Sequence, residues 1–407
     1  MALISGLIES FSSPNYEGPL YNITPEDTPL LSAIGGLYGG DGVNTPMFRW
    51  QEFDLRDAAV AAAKEGIAAP ASTGRSRSQV FNVCQIIHES VDVSYTKQAS
   101  FNAITGADGV GGKDATMQGN PVVDEFGWQV TQRLKEIARD CEYAIINGTF
   151  VDDTDINTAR KTRGLLAAIT TNVENAGGPT ITLDASSSSD DILLEASHGL
   201  EDDDRVQFLT LTGGAGLVVG QTYFVVTGTT GTFQLSATQG GAAIDFTTDI
   251  SAATLQKVVD PTAETISSLM QTVWDNGGIR EQETATLVAN SHVKRHLTEA
   301  FLSGASTSAS GFRQDNRNVG GVNLQTFDTD FGRVNVMLNR YMPSNKLMVV
   351  SLDELRLKWL EQEKGRLFAE PLGVTGSLIE SQIYGEWGLM YGNERAHGEM
   401  TGLANAS

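Results

Sequence analysis

The chain has 407 residues, which is enough for two or three domains. Its hydrophobic content of 40 % predicts a globular protein, and its formal net charge of −22 argues against a sequence-independent nucleic-acid binder, which needs a basic surface to neutralise phosphates. The first residues lack the basic region and long apolar core of a signal peptide, and no apolar run reaches the roughly 20 residues of a membrane span.

Residues 1–48 predict an extended arm with short helical pieces. In the stretch NITPEDTPLLSAIGG (residues 22–36), prolines fix the backbone, and Leu30, Leu31 and Ile34 form one apolar strip. Because such a segment has little core of its own, we expect it to pack on something else, such as a neighbouring subunit.

Residues 49–100 predict a long β-hairpin with a mobile tip. The flanking stretches MFRWQEFDL and SQVFNVCQIIHESVDVSYT are rich in strand-forming residues, and Cys84 lies within the second. The stretch AAVAAAKEGIAAPASTGRSRS between them offers no bulky side chains for a core. We expect Cys84 and Cys141, the two cysteines of the chain, to be reduced and partly buried rather than disulfide-bonded.

The clearest predicted helix covers residues 120–148. Asn120 is a suitable N-cap and Pro121 a suitable first helical residue, and apolar residues then recur every three or four positions until Gly148. At about 1.5 Å per residue such a helix is near 40 Å long, enough to act as a spine.

Residues 178–257 differ in composition from the rest of the chain. Between Gly177 and Gln256 the only basic residue is Arg205, against ten acidic residues, and short β-forming runs alternate with glycine turns about every ten residues. This pattern predicts a small β-barrel or sandwich inserted into another domain, and its acidic, separable character favours a position on an outer surface.

Residues 258–343 alternate predicted helices and strands. In residues 344–407, further strands follow, among them one in which Ile383, Trp387 and Leu389 are the apolar positions.

Catalytic signatures are weak throughout. His292 and His296 are four residues apart on a predicted helix and could share a metal, but no glutamate follows the first histidine, so a solvated helix face is the favoured interpretation. The glycine-rich stretches lack a phosphate-binding Gly-Lys-Ser/Thr, and the acidic residues 201–204 lack the spacing of a calcium loop, which favours a solvated turn. We therefore predict no catalytic, metal-binding or cofactor-binding residue and no cofactor.

Several longer phrases do resemble a known family. They are NITPEDTPLLSAIG (22–35), TRGLLAAI (162–169), DTDFGRVNVMLNRYMP (328–343) and GEWGLMYGNERAHGEMTGL (385–403). Together with the order of the predicted parts, they resemble tailed-phage major capsid proteins of the Hong Kong 97-type fold, in the SU-ten-like branch. These phrases belong to the scaffold and are not catalytic signatures.

The resemblance implies an α+β protein with an N-terminal arm (1–48), an extended loop (49–100), a peripheral domain (101–177) with its spine helix, and an axial domain (258–343). Residues 344–407 would return to the peripheral and axial sheets, and the small all-β domain would be an insertion.

The implied function is that of a non-enzymatic major capsid protein of a tailed double-stranded DNA phage. Copies would assemble in the host bacterial cytoplasm into hexamers and pentamers of an icosahedral head, which is the shell of the virion. Decoration, scaffolding and portal proteins are further candidate partners, packaged DNA would be contacted weakly, and no membrane is involved. The first candidates for interface residues are Tyr21, Leu30, Leu31, Trp50 and Phe53.

Two other classes of function stay open at this point. The chain could be a surface-displayed binding protein whose β module grips a glycan or host ligand. It could also be a metal hydrolase that uses His292 and His296.

Overall fold

The computed structural model describes residues 23–404, except for three long gaps and several short ones. The gaps are residues 101–124, 280–284, 304–325, 57, 61, 70, 72–73, 153–154, 156, 184 and 374–375. Tyr21 and the predicted helix start at Asn120 and Pro121 lie outside the described residues.

The described helices lie on both sides of the β-rich region of residues 178–257. They are α1 (Pro29–Ala33), α2 (Tyr95–Ser100), α3 (Glu125–Asn147), α4 (Leu165–Ala168), α5 (Ala263–Asp275) and α6 (Ser291–Ser303). Short 3-10 turns occur at Leu352–Glu354 and Glu394–Ala396.

The described strands form three larger sheets and one separate hairpin. In chain order they are β1 (Asp41–Val43), β2 (Met47–Phe53), β3 (Arg77–Val83), β4 (Gln85–Ser94), β5 (Val173–Asn175), β6 (Ile181–Thr182), β7 (Ala185–Ser187), β8 (Ile192–Leu194), β9 (Arg205–Gly213), β10 (Thr222–Val226), β11 (Thr232–Ser236), β12 (Ile250–Lys257), β13 (Ala285–Ala289), β14 (Thr326–Thr329), β15 (Gly332–Leu338), β16 (Leu347–Ser351), β17 (Arg356–Leu360), β18 (Leu367–Pro371), β19 (Leu378–Met390) and β20 (Gly398–Thr401).

The first sheet is built around the long strand β19. That strand pairs in antiparallel fashion with β4, β17 and β18, while β1 joins the edge of β17 in parallel. Trp387 on β19 is the register partner of Trp359 on β17, and both side chains are fully buried. This sheet forms one wall of the main hydrophobic core.

The spine helix α3 packs on that core. Ile137, Cys141 and Ile145 follow one another at a spacing of four residues and are all buried, as the apolar periodicity predicts. The helix ends before Gly148, where a Cβ atom would lie only 2.5 Å from the Ala144 carbonyl oxygen and 2.6 Å from that of Thr162. This position therefore needs a glycine because the returning chain passes so close.

The second sheet has six strands in the order β14-β15-β13-β16-β20-β5. All five residues of β13 are buried, and Val334 of β15 is the register partner of Ala285. Helices α5 and α6 contribute to a second core against this sheet, and Thr262 and Thr265 form a reciprocal capping box at the start of α5.

The predicted hairpin differs from the observed one in its second strand. The stretch read as a single strand breaks at Cys84, whose backbone N–H donates to the Pro46 carbonyl at 2.7 Å. Only β3 pairs with β2, and β4 leaves the hairpin to pair with β19. At the buried Cys84 the chain thus passes from the separate hairpin into the first sheet.

Residues 181–257 form the third sheet, with seven strands in the order β6-β12-β9-β10-β11-β8-β7. The sheet curves towards closure, since the Ser186 hydroxyl on β7 bonds the backbone of Ile250 on β12. Its core contains only its own residues, among them Phe208, Tyr223 and Phe233. No helix in the described parts of the chain is long and apolar enough to cross a membrane.

Candidate subunit-interface surface

The β2–β3 hairpin carries exposed apolar side chains beyond its last strand pair. The strands pair from Met47 with Val83 to Phe53 with Arg77. At that last pair and beyond it, the exposed fractions of the apolar side chains are high: Phe53 68 %, Leu55 70 %, Val60 99 % and Ile67 64 %. We call Phe53 and the described residues among 54–76 the hairpin tip. Single exposed apolar residues are common, but several on one projecting segment indicate an interaction surface.

The root of the hairpin, by contrast, is fixed to the body by Asn82. Its buried side-chain amide donates to the carbonyl of Leu389 at 2.7 Å and to that of Arg163 at 3.1 Å. Its carbonyl oxygen accepts from the backbone N–H of Arg163 at 2.8 Å and from that of Val83 at 2.9 Å. One side chain thus bonds β3 to two other segments of the chain.

Aromatic contacts hold the other side of the root. The indole Nε1 of Trp50 donates to the Gly392 carbonyl at 2.8 Å, and its ring meets Tyr391 edge-on at 4.9 Å. Burial raises the pKa of Tyr391, whose hydroxyl accepts from Arg163 at 3.2 Å. The Arg163 guanidinium also lies 4.7 Å from the ring centre of Phe150. The hairpin therefore projects from a rigid base.

The predicted interface residues fall into three different environments. Phe53 is exposed on the hairpin tip, and Trp50 is half-buried at the root. Leu30 and Leu31 are buried within their own chain, in the core that also contains Ile145 of the spine helix. Neither Leu30 nor Leu31 is therefore available at the surface of the subunit. Tyr21 lies outside the described residues.

The arm is held there by a residue that the sequence interpretation did not select. Glu142, on the spine helix, is fully buried, and its carboxylate accepts from the backbone N–H groups of Leu30 at 2.9 Å and Leu31 at 2.6 Å. No local pattern points to this contact, because Glu142 is separated from its partners by more than a hundred residues. The signal that the sequence does offer is the position of Glu142, a charged residue, on the apolar face of an amphipathic helix.

The two histidines of α6 lie close together, but the described residues around them do not complete a metal site. The rings of His292 and His296 are 4.6 Å apart, and His296 Nδ1 lies 3.8 Å from Asp260 Oδ1. Both oxygens of Asp260 already accept hydrogen bonds from Arg205, at 3.1 and 2.8 Å. Within the described residues, no group of three or more histidine, cysteine, aspartate or glutamate side chains could hold a metal ion.

The acidic turn at residues 201–204 is bonded to the backbone rather than simply solvated. Asp202 accepts from the Gly228 N–H at 2.7 Å, and Asp203 accepts from the Gly240 N–H at 3.1 Å. Asp204 accepts from the Glu201 N–H at 2.9 Å and pairs with Lys257 at 2.7 Å. These carboxylates hold loops of the seven-stranded sheet in place by hydrogen bonds. The acidic run therefore has a structural role that needs no bound ligand.

Comparison with known structures identifies the fold. The chain is similar to the capsid asymmetric unit of cyanophage A-1(L), with 12 % identity over 96 % of this chain and 97 % of that chain, at a TM-score of 0.53. This similarity shows a Hong Kong 97-type capsid fold, in agreement with the α+β fold class predicted from the sequence.

Other solved shells give lower scores. The capsid of an empty GTA particle matches with 12 % identity over 99 % of this chain and 100 % of that chain, at a TM-score of 0.48. An encapsulin complex from Synechococcus elongatus matches with 10 % identity over 97 % of this chain and 95 % of that chain, at a TM-score of 0.46.

Comparison at the level of sequence gives the family. No curated protein sequence matches the chain. The profile of the SU10 major capsid protein family, however, matches residues 4–404, which is nearly the whole chain. Proteins of this family are structural and not catalytic, which excludes the metal-hydrolase alternative. The chain therefore belongs to the SU10 major capsid protein family and is a structural protein of a phage capsid shell.

Proposed function

We propose that copies of the chain assemble into the hexamers and pentamers of an icosahedral head, with the hairpin tip of each subunit lying over a neighbour. The observation that carries this proposal is the contrast between the root and the tip of the hairpin. Asn82 and Trp50 fix the root by hydrogen bonds, whereas Phe53 and Leu55 extend from it without a core of their own. Burial of such side chains against a second subunit removes apolar surface from water.

In this proposal Phe53 is the predicted interface residue that keeps a direct role. Leu30 and Leu31 act within the subunit, and Trp50 orients the hairpin. Capsid contacts of standard size bury roughly 1,200–2,000 Å², so the tip would be one of several contacts for each subunit.

We further propose that residues 178–257 are an inserted domain that faces outward on the assembled particle. Among the described residues, its core contains none from outside 178–257, and ten of its side chains are acidic. A separable, highly charged unit suits a solvated surface, where it would also be accessible to a decoration protein. A loss of shell formation on deletion of these residues would contradict a peripheral position.

The remaining partners follow from the shell function. Scaffolding and portal proteins would contact the subunit during assembly in the host cytoplasm. Packaged DNA would meet a chain of net charge −22, so its contact with the wall would be weak and non-specific. Tight, salt-dependent binding of duplex DNA by the purified subunit would contradict this part of the proposal.

The assembly proposal is tested by a double substitution in the tip, Phe53→Asp with Leu55→Asp. Particles are examined by electron microscopy and light scattering after the protein is expressed with any scaffolding partner that the wild type requires. We expect closed shells of uniform diameter from the wild type and unassembled, folded subunits from the double variant. The matched control is Val218→Asp with Val219→Asp, because both valines are also exposed but lie in the loop between β9 and β10 of the seven-stranded sheet.

The control variant should assemble like the wild type. Normal shells from the double variant would overturn the role of the hairpin tip. Failure of the control as well would show that added negative charge, and not the tip, blocks assembly.

A further inference from the structure

Glu142 on the spine helix is a buried acidic residue that accepts hydrogen bonds from three donors. Its side chain is completely shielded from solvent in the core, although ionised side chains are rarely buried without partners. Oε1 accepts from the Leu30 N–H and from the Asn339 side-chain amide, and Oε2 accepts from the Leu31 N–H. Three segments that are distant in sequence thus meet at one carboxylate.

Two salt bridges join the segment just before α1 to the body of the subunit. Glu26 pairs with Lys135 of the spine helix at 2.9 Å, and Asp27 pairs with Arg340 at 3.1 Å. The side chains of both pairs are well exposed, so each pair contributes little to stability. Glu142 is therefore the buried polar link between the arm helix α1 and the spine helix α3.

Two glycines follow shortly after the end of α1. Gly35 and Gly36 both have positive φ, at +113° and +69°, and a Cβ atom on Gly36 would meet nothing within 4 Å. The next residues are fixed instead: the Gly39 carbonyl accepts from Trp359 at 3.0 Å and the Gly40 carbonyl from Arg366 at 2.8 Å. The Gly35 N–H donates to the Ser32 carbonyl at 3.3 Å and the Gly36 N–H to the Leu31 carbonyl at 2.8 Å, so the glycine pair closes the end of α1 and joins it to an anchored segment.

We propose that Glu142 is a latch that holds the arm helix on the spine helix of its own subunit, and that α1 separates from the spine helix when the latch is lost. The latch works because two backbone donors of α1 and the Asn339 amide all require an acceptor in a water-free site. The released arm would expose Leu30 and Leu31, which become available to a second copy of the chain. This intramolecular device does not depend on the proposed role of the hairpin tip.

The test is Glu142→Gln in the full chain, with amide hydrogen exchange as the measurement. Glutamine has nearly the same shape, but its NH₂ group replaces one acceptor oxygen and faces an N–H donor. We expect the Leu30 and Leu31 amides to exchange at least tenfold faster than in the wild type. The amides of Ile145 and Ile146, on the same spine helix, should keep their wild-type rates.

A second variant and a control complete the test. Asn339→Ala leaves the carboxylate in place and removes one of its donors, so we expect a smaller increase confined to the same two amides. Glu136→Gln changes an exposed glutamate of the spine helix, which pairs with Arg133 at 2.7 Å, and should leave both amides unchanged.

Two results would overturn the proposal. Wild-type exchange at Leu30 and Leu31 in both variants would show that the carboxylate does not hold the arm. Faster exchange along the whole spine helix in Glu142→Gln would show that Glu142 supports the fold generally and is not a latch.

Discussion

The indole nitrogen of Trp50 donates a hydrogen bond of 2.8 Å to the carbonyl oxygen of Gly392, which joins the hairpin root to the segment after β19. The Trp50 ring also packs edge-on against Tyr391. Among the described strands the hairpin pairs with no third one, so this contact and the Asn82 network are important in holding its root on the body.

The first prediction concerns this contact. Trp50→Ala should lower the free energy of unfolding by about 2–3 kcal/mol, since the half-buried ring loses both packing and a hydrogen bond. Trp50→Phe keeps the packing and should cost about 1 kcal/mol. Urea unfolding of the subunit measures both effects.

The control is Phe53→Ala, three residues farther along the same strand, which should change the free energy of unfolding by less than about 0.5 kcal/mol. An equal loss in Phe53→Ala would contradict the distinction between root and tip.

A second prediction concerns the pH dependence of stability through His397. This imidazole is buried, its Nδ1 accepts from the Ser351 N–H at 3.3 Å, and its Nε2 donates to the Tyr391 carbonyl at 2.9 Å. Burial lowers the pKa of His397 below its usual value of 6.5. The unfolded chain therefore binds a proton at a higher pH than the folded chain does, and the stability that the neutral ring provides is complete above pH 6.5 and lost as the pH falls.

The slope of this loss is at most about 1.4 kcal/mol per pH unit for one proton. Chemical unfolding at a series of pH values between 5 and 7 should show it in the wild type. The slope should shrink in His397→Gln and persist in His88→Gln, since His88 is exposed on β4. Equal slopes in all three proteins would contradict the assignment to His397.

The acidic turn of the seven-stranded sheet gives a third prediction. Asp203 has a positive φ of 71°, and its carboxylate accepts from the Gly240 N–H. Asp203→Ala should destabilise the sheet by about 2 kcal/mol, because alanine is strained in this conformation and the hydrogen bond is lost. Asp203→Asn should be nearly neutral, since asparagine tolerates the conformation and keeps an acceptor. Differential scanning calorimetry distinguishes the two; similar melting of both variants would contradict this account.

The cysteines provide a fourth prediction. Both are free and buried, and burial raises the pKa of Cys84 to about 12 and that of Cys141 still further. Neither thiol should react with a disulfide reagent at pH 8 in the folded subunit, because the reactive form is the thiolate. Both should react at once in guanidinium chloride. Rapid labelling of either cysteine in the native protein would show that its part of the core opens easily.

The parts of this protein that could be predicted from sequence are those whose partners are close in the chain. The apolar periodicity of α3 is such a case, because Ile137, Cys141 and Ile145 lie on one face of the same helix. The turn-rich, acidic segment of residues 178–257 likewise pairs with itself, so its strands could be anticipated from spacing alone.

Contacts across long separations could not be predicted in this way. The burial of Leu30 depends on Glu142, and the break at Cys84 depends on the Pro46 carbonyl and on a strand that begins only at Leu378. An apolar strip indicates that a surface will be covered, but not whether the same chain or another copy covers it. For that reason Leu30 and Leu31 look like interface residues in sequence and are core residues in the structure.

The seven-stranded sheet begins and ends at one place. Ile181 and Leu255 are register partners on neighbouring strands, and a Cβ atom on Gly177 would lie 1.7 Å from the Lys257 carbonyl oxygen. The chain therefore leaves the body and returns to it at a single narrow junction. If the proposed insertion does face outward, an antigen or an enzyme grafted at that junction would coat the particle without a change to the rest of the shell subunit.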